Sequence, residues 1–144
     1  MRQIFVDTGA WTAIANSGDI HHAAALTFRD EIVGRCRLVS TNYVLDELFT
    51  LMLMDVGYRE TVNFKSKLDV MIHKKTLELV WVFEDVVAQA WKVFEQFNTD
   101  KQWSFTDCTS FVVMKQRSIT EAFTFDHHFT QMGFIKLPLV DQKI

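Results

Sequence analysis

The chain opens with a short apolar run, Gln3-Ile4-Phe5-Val6, closed by Asp7, which is the pattern of a buried strand. A helical pattern follows from Thr8 to about Ala15 and breaks at Asn16-Ser17-Gly18. Asp19 can cap a second helix through about Val33, which Gly34 ends. Arg37-Leu38-Val39-Ser40 reads as a second strand, and from Thr41 the pattern turns helical again. Leu45, Leu48, Phe49 and Met52 recur at i, i+3, i+4 and i+7, the buried stripe of an amphipathic helix. Gly57 breaks that helix, and a fourth runs to about Lys74. Leu77 to Phe83 is strand-like, and Val86 to Phe97 is helical with Val87, Ala90, Trp91 and Phe94 on one face. After a polar connection from Asn98 to Ser104, Thr106 can cap a helix to about Arg117. Ala122 to Phe125 is an apolar strand ended by Asp126, and Phe134 to Val140 forms a last one. Strands alternating with helices predict an α/β fold whose parallel sheet is covered on both faces. With no linker, repeat or low-complexity tract, residues 1–144 are expected to form one domain.

Composition narrows this picture. Hydrophobic residues make up 49% of the 144, which supports a real core and excludes disorder. One proline and five glycines disfavour a β fold built on many tight turns. The net charge of −3 argues against holding nucleic acid by bulk charge alone, but leaves room for an enzyme whose acids are neutralised by metal. Cys36 and Cys108 have no metal-like spacing and read as small buried hydrophobes in a reducing compartment. Asp7 arrives too early for a signal peptide, and the apolar stretch Leu48 to Met54 is too short to span a membrane. A cytoplasmic location is expected.

The acids carry the chemistry. Ile4-Phe5-Val6-Asp7 and Phe123-Thr124-Phe125-Asp126 share one form, a buried strand closed by an aspartate. Ligands bind at the carboxyl ends of the strands in an open parallel sheet, so Asp7 and Asp126 are expected on the same edge. Either could instead be a helix N-cap. Glu47 falls on the Val44-Glu47-Leu51 line beside the apolar stripe, whereas Asp46 points about a quarter-turn away and reads as solvated. Asp107 sits in a first helical turn, where the helix dipole favours an anion. Four converging carboxylates repel one another unless compensated. Hard oxygen ligands without cysteine suit Mg2+ or Mn2+, and such a cation activates water for phosphodiester cleavage. The four candidate acids outweigh the net charge of −3, so the rest of the chain is nearly neutral.

The same residues carry a family resemblance. Phe5-Val6-Asp7-Thr8-Gly9-Ala10, the Thr41-to-Leu48 stretch with Val44 and Glu47, Phe105-Thr106-Asp107, and Thr124-Phe125-Asp126-His127-His128-Phe129 resemble the four acidic motifs of PIN domains. The similarity is closest to the VapC-type toxins of bacterial toxin–antitoxin pairs, and Asp19 to Ala23, with His22, also resembles the segment after their first helix. Residues 57–104 match only in helical character. The resemblance implies a three-layer α/β/α sandwich and a Mg2+- or Mn2+-dependent endoribonuclease. It also implies a homodimer and inhibition by a small antitoxin protein bound in the active-site groove. Carried over by position, Asp7, Glu47, Asp107 and Asp126 are the expected metal-binding, catalytic acids, with Thr8 and Thr124 orienting them from behind.

Three other readings compete with this one. Asp7-Thr8-Gly9-Ala10 also fits retroviral-type aspartic proteases, but that fold needs a mostly β chain after the motif. A phospho-accepting receiver domain wants an acidic pair after its first strand, which is missing here. The main alternative is a non-catalytic PIN-like domain that binds RNA or protein. The pairs His127-His128 and His21-His22 are assigned to capping or packing, and Trp81, Trp91 and Trp103 to the core.

Overall fold

A computed structural model of the chain describes residues 1–139. Four strands follow the expected order: β1 (Gln3–Val6), β2 (Arg37–Thr41), β3 (Leu77–Val80) and β4 (Glu121–Phe123), with β5 (Ile135–Leu137) last. Between β1 and β2 lie α1 (Thr8–Ala15) and α2 (His22–Ile32), and between β2 and β3 lie α3 (Asn42–Asp55) and α4 (Tyr58–His73). Helices α5 (Glu84–Phe97) and α6 (Phe105–Gln116) lead to β4, and a short α7 (His128–Gln131) precedes β5. All pairings are parallel, in the order β3-β2-β1-β4-β5. The result is a three-layer α/β/α sandwich.

Burial along β1 shows why both faces are covered. Ile4, Phe5 and Val6 are all fully buried, although successive side chains point to opposite faces. Phe5 packs against Phe129, ring centroids 6.4 Å apart, in an aromatic cluster with Phe111. Val6 faces the other layer, where Trp11, Leu38, Phe64, Leu68 and Phe123 line an apolar cavity. Cys36 and Cys108 are buried free thiols, and no helix among the described residues is long and apolar enough to cross a membrane.

The departures from the sequence-based expectations have local causes. β3 stops at Val80 rather than Phe83 because the Val82 amide donates to the Asn42 side chain (2.7 Å), which draws the chain off the sheet. β4 stops at Phe123 rather than Phe125 because Thr124 turns its hydroxyl to the Asp126 amide (3.0 Å), a side-chain turn that competes with the ladder. Gly57, at φ 93°, gives α3 its sharp end, as its sequence position predicts. Helix α2 begins at His22 rather than after Asp19, whose carboxylate instead accepts the His21 amide (2.8 Å) in a tight turn. The last strand ends at Leu137, and Val140 lies outside the described residues.

Trp103 is buried as expected, with its indole N–H donating to Gln131 (2.8 Å). Trp81 and Trp91 are not core residues; they are 59% and 52% exposed. Trp81 follows a strand at the sheet edge, and Trp91 lies outside the Val86–Ala90 line that α5 buries, stacked on Phe94 at 5.2 Å.

Candidate active site

The strand order reverses at β1. From β1 the chain steps outward to β2 and β3, then crosses back to add β4 and β5 on the other side. The crevice between the carboxyl ends of β1 and β4 is therefore the topological switch point, where open α/β sheets bind ligands. Asp7 follows β1 and Asp126 follows β4, so topology alone brings these two acids together.

Asp7 occupies the N-cap position of α1, yet its side chain makes no capping hydrogen bond. One carboxylate oxygen instead accepts the Thr124 hydroxyl at 3.0 Å, across 117 residues of sequence. Thr124 is fully buried and its hydroxyl also accepts the Asp126 amide, so one side chain ties the two strand-end acids into one frame. Asp7 is only 5% exposed. Burial, followed by repulsion from Asp107, pushes its carboxyl up to about 7, against the opposing pull of the Thr124 hydroxyl.

Asp107 comes from the start of α6. The cap of this helix is Ser104, not Thr106: the Ser104 hydroxyl accepts the Asp107 amide (3.0 Å), and Asp107 accepts the Ser104 amide (3.3 Å). This reciprocal capping box fixes the carboxylate at the helix N-terminus, and the Ser-x-x-Asp spacing in the sequence is its signature. Burial raises the Asp107 carboxyl above its ordinary value, repulsion from Asp126 adds to this, and the His128 ring opposes it.

His128 is the residue that sequence reasoning missed. Its Nδ1 lies 3.0 Å from Asp107 and 3.2 Å from Asp126, while its backbone amide donates to Asp126 at 2.9 Å. Its neighbour His127 is largely exposed, with Nδ1 3.7 Å from Asp126. The other pair divides as well: His22 bonds the Ala13 carbonyl at 2.7 Å, and His21 stacks on Phe125 at 4.3 Å on the rim of the site.

Glu47 reaches the same place from α3, whereas Asp46 is exposed and takes no part. Asp7, Glu47, Asp107 and Asp126 thus line one open cleft of about 530 Å³, which Asp19 also borders. Among the described residues this lining holds five carboxylates and neither lysine nor arginine. Thr8 lines it too, and its buried hydroxyl has no hydrogen-bond partner among the described residues. Such a cluster of hard oxygen donors, with no lysine or arginine among the described residues to neutralise it, is suited to a divalent cation.

Comparison with known proteins identifies the family. The PIN domain family matches residues 4–135. The 23S rRNA-specific endonuclease VapC20 of Mycobacterium tuberculosis is 33% identical over 138 residues, 93% of this chain and 97% of that protein. A VapC ribonuclease of Archaeoglobus fulgidus is 27% identical over 127 residues, 87% of this chain and 78% of its own. The crystal structure of M. tuberculosis VapC20, described as a sarcin–ricin loop cleaving toxin, superposes with a TM-score of 0.80 at 31% identity, covering 92% of this chain and 96% of that one. VapBC2 from Rickettsia felis, solved with a promoter DNA fragment, shares the fold at a TM-score of 0.65 and 13% identity, over 93% of this chain and 96% of that one. The domain match over most of the chain and the identity to VapC20 together place the protein: it belongs to the PIN-domain family and is similar to its VapC endoribonucleases.

Proposed function

We propose that this chain is a single-domain, metal-dependent endoribonuclease and the toxin of a toxin–antitoxin pair, acting in the cytoplasm on structured RNA. The observation that carries the reading is the convergence of Asp7, Glu47, Asp107 and Asp126, from four separate elements, in one cleft that holds no lysine or arginine among the described residues. The residues fit Mg2+ or Mn2+: Asp7 and Asp107 are buried carboxylates that repel each other, and the Thr8 hydroxyl lacks a partner. A divalent cation held there supplies an activated water and neutralises charge that develops on the phosphate. The protein supplies the positions. Thr124 orients Asp7, the capping box orients Asp107, and Glu47 closes the cleft from α3. The cleft is open to solvent on the side an RNA strand would approach, and the net charge of −3 leaves the chain without an excess of basic residues for phosphate contact.

The test is cleavage of a synthetic sarcin–ricin hairpin and of other structured RNAs by the purified chain with Mg2+ or Mn2+. We expect cleavage that a chelator abolishes. No cleavage of any RNA with either cation supports the non-catalytic PIN-like binding domain instead.

The partners belong to the same proposal. Leu53, Met54, Trp81, Phe83 and Trp91 are each more than half exposed, which offers apolar surface for a homodimer. An antitoxin that presents an arginine can pair with Asp7 or Asp107 and take the cation's place. Light scattering is expected to give twice the chain mass at micromolar concentration, and a co-expressed antitoxin to bind and block cleavage. A strict monomer refutes the dimer, and a stable complex that still cleaves refutes inhibition at the cleft.

A further inference from the structure

We propose that His128 is a nitrogen ligand in this centre, so that the site selects Mn2+ over Mg2+. The proposal rests on the reading of the cleft as a divalent-cation site and adds a donor that the four acids do not supply.

The geometry singles out one ring atom. His128 Nδ1 lies 3.0 Å from Asp107 Oδ2 and 3.2 Å from Asp126 Oδ2, so it faces two carboxylates at once. A single ring proton satisfies one of them. Adjacent donors on an octahedral cation with bonds of about 2.1 Å sit about 3.0 Å apart. Nδ1 is therefore spaced from each of these two oxygens as one ligand of an ion is from its neighbour, and a cation taken up by Nδ1 would leave the ring protonated on Nε2. The ring is held for this: its side chain is 20% exposed, and its backbone amide is tied to the other oxygen of Asp126 at 2.9 Å. Donor atoms of Asp126, His127 and His128 lie within 4.8 Å of one another, but His127 is 71% exposed with its nearest carboxylate contact at 3.7 Å. The buried hydroxyl of Thr8, which has no hydrogen-bond partner among the described residues, lines the same cleft and offers a further oxygen to an ion held there. Mn2+ and Mg2+ both take carboxylate and water, but an imidazole nitrogen binds the transition ion Mn2+ more tightly than Mg2+, so a nitrogen in the set biases the choice between these two.

The experiment uses the purified full chain and Mn2+ alone. Electron paramagnetic resonance titration gives the affinity, and pulsed spectra report any directly bound nitrogen through its hyperfine coupling. We expect a bound Mn2+ with imidazole nitrogen coupling that persists in His127→Gln and vanishes in His128→Gln. His128→Gln should also weaken Mn2+ about tenfold or more, with a much smaller effect on Mg2+ measured by competition. Melting in chelator checks that both variants fold. Bound Mn2+ without nitrogen coupling in the wild type overturns the proposal and leaves the metal reading intact. Coupling that survives His128→Gln, or an unchanged Mn2+ preference, overturns it equally. Failure of the wild type to bind Mn2+ overturns both together.

Discussion

Asp7→Asn is expected to reduce metal-dependent RNA cleavage by more than about 100-fold while the protein stays folded. Residues that only orient a metal ligand already cost about 10–100-fold in affinity or activity when changed, and Asp7 is proposed as a ligand itself. Asparagine keeps the size of the side chain and can still accept the Thr124 hydroxyl, so the frame around it should survive. The competing role as a helix cap predicts a nearly silent change, since asparagine caps about as well as aspartate. That role already has little support, because the Asp7 side chain makes no capping bond to α1. Asp46→Asn is the internal control: it removes the same charge one residue from Glu47, on an exposed face of α3. Both variants and the wild type should be assayed with Mg2+ and with Mn2+, with thermal melts alongside. Equal cleavage by wild type and Asp7→Asn would sink the assignment of this cleft as the catalytic site.

The parts of the site legible in the sequence are those where one strong local pattern meets one topological rule. An apolar strand closed by aspartate occurs twice, and the parallel α/β pattern puts both ends on one edge, so the meeting of Asp7 and Asp126 follows. Glu47 was separable from Asp46 because helical periodicity gives each a direction. His128 was not legible for a complementary reason. It sits on α7, four residues long, too short to show periodicity, and its partner Asp107 is 21 residues away. The cap of α6 is legible as Ser104-x-x-Asp107, whereas Thr106, the cap expected from the sequence, has the right chemistry two positions too late. The exposure of Trp81 depends on β3 being an edge strand. That is a property of strand order, and the composition of the strand itself does not encode it.

In the presence of a chelator, the protein is expected to lose stability as pH rises from about 4 to about 7. The Asp7 carboxyl sits at about 7 in the folded chain against 3.8 for the free group, so between these values the folded state keeps a proton that the unfolded state has released. The unfolding free energy therefore falls with rising pH across this window and levels off above it. Asp107, whose carboxyl is also raised, acts in the same direction. Glu121 acts oppositely, because Arg2 holds it below its ordinary range, but that gain is complete at lower pH and the pair is at the surface. At about 1.4 kcal/mol per unit, the Asp7 gap amounts to no more than about 4 kcal/mol. Asp7→Asn removes it, so the metal-free variant should melt about 5–10 °C above wild type at pH 8, with less than half that gain at pH 5. Adding Mn2+ at pH 8 should reverse the order, stabilising the wild type by mass action and leaving Asp7→Asn almost unmoved. The measurement is a set of melting curves from pH 4 to 9 with chelator and with Mn2+. A flat metal-free profile, or a variant no more stable than wild type at pH 8, would mean that Asp7 ionises in the fold without cost and that the carboxylates do not need a cation.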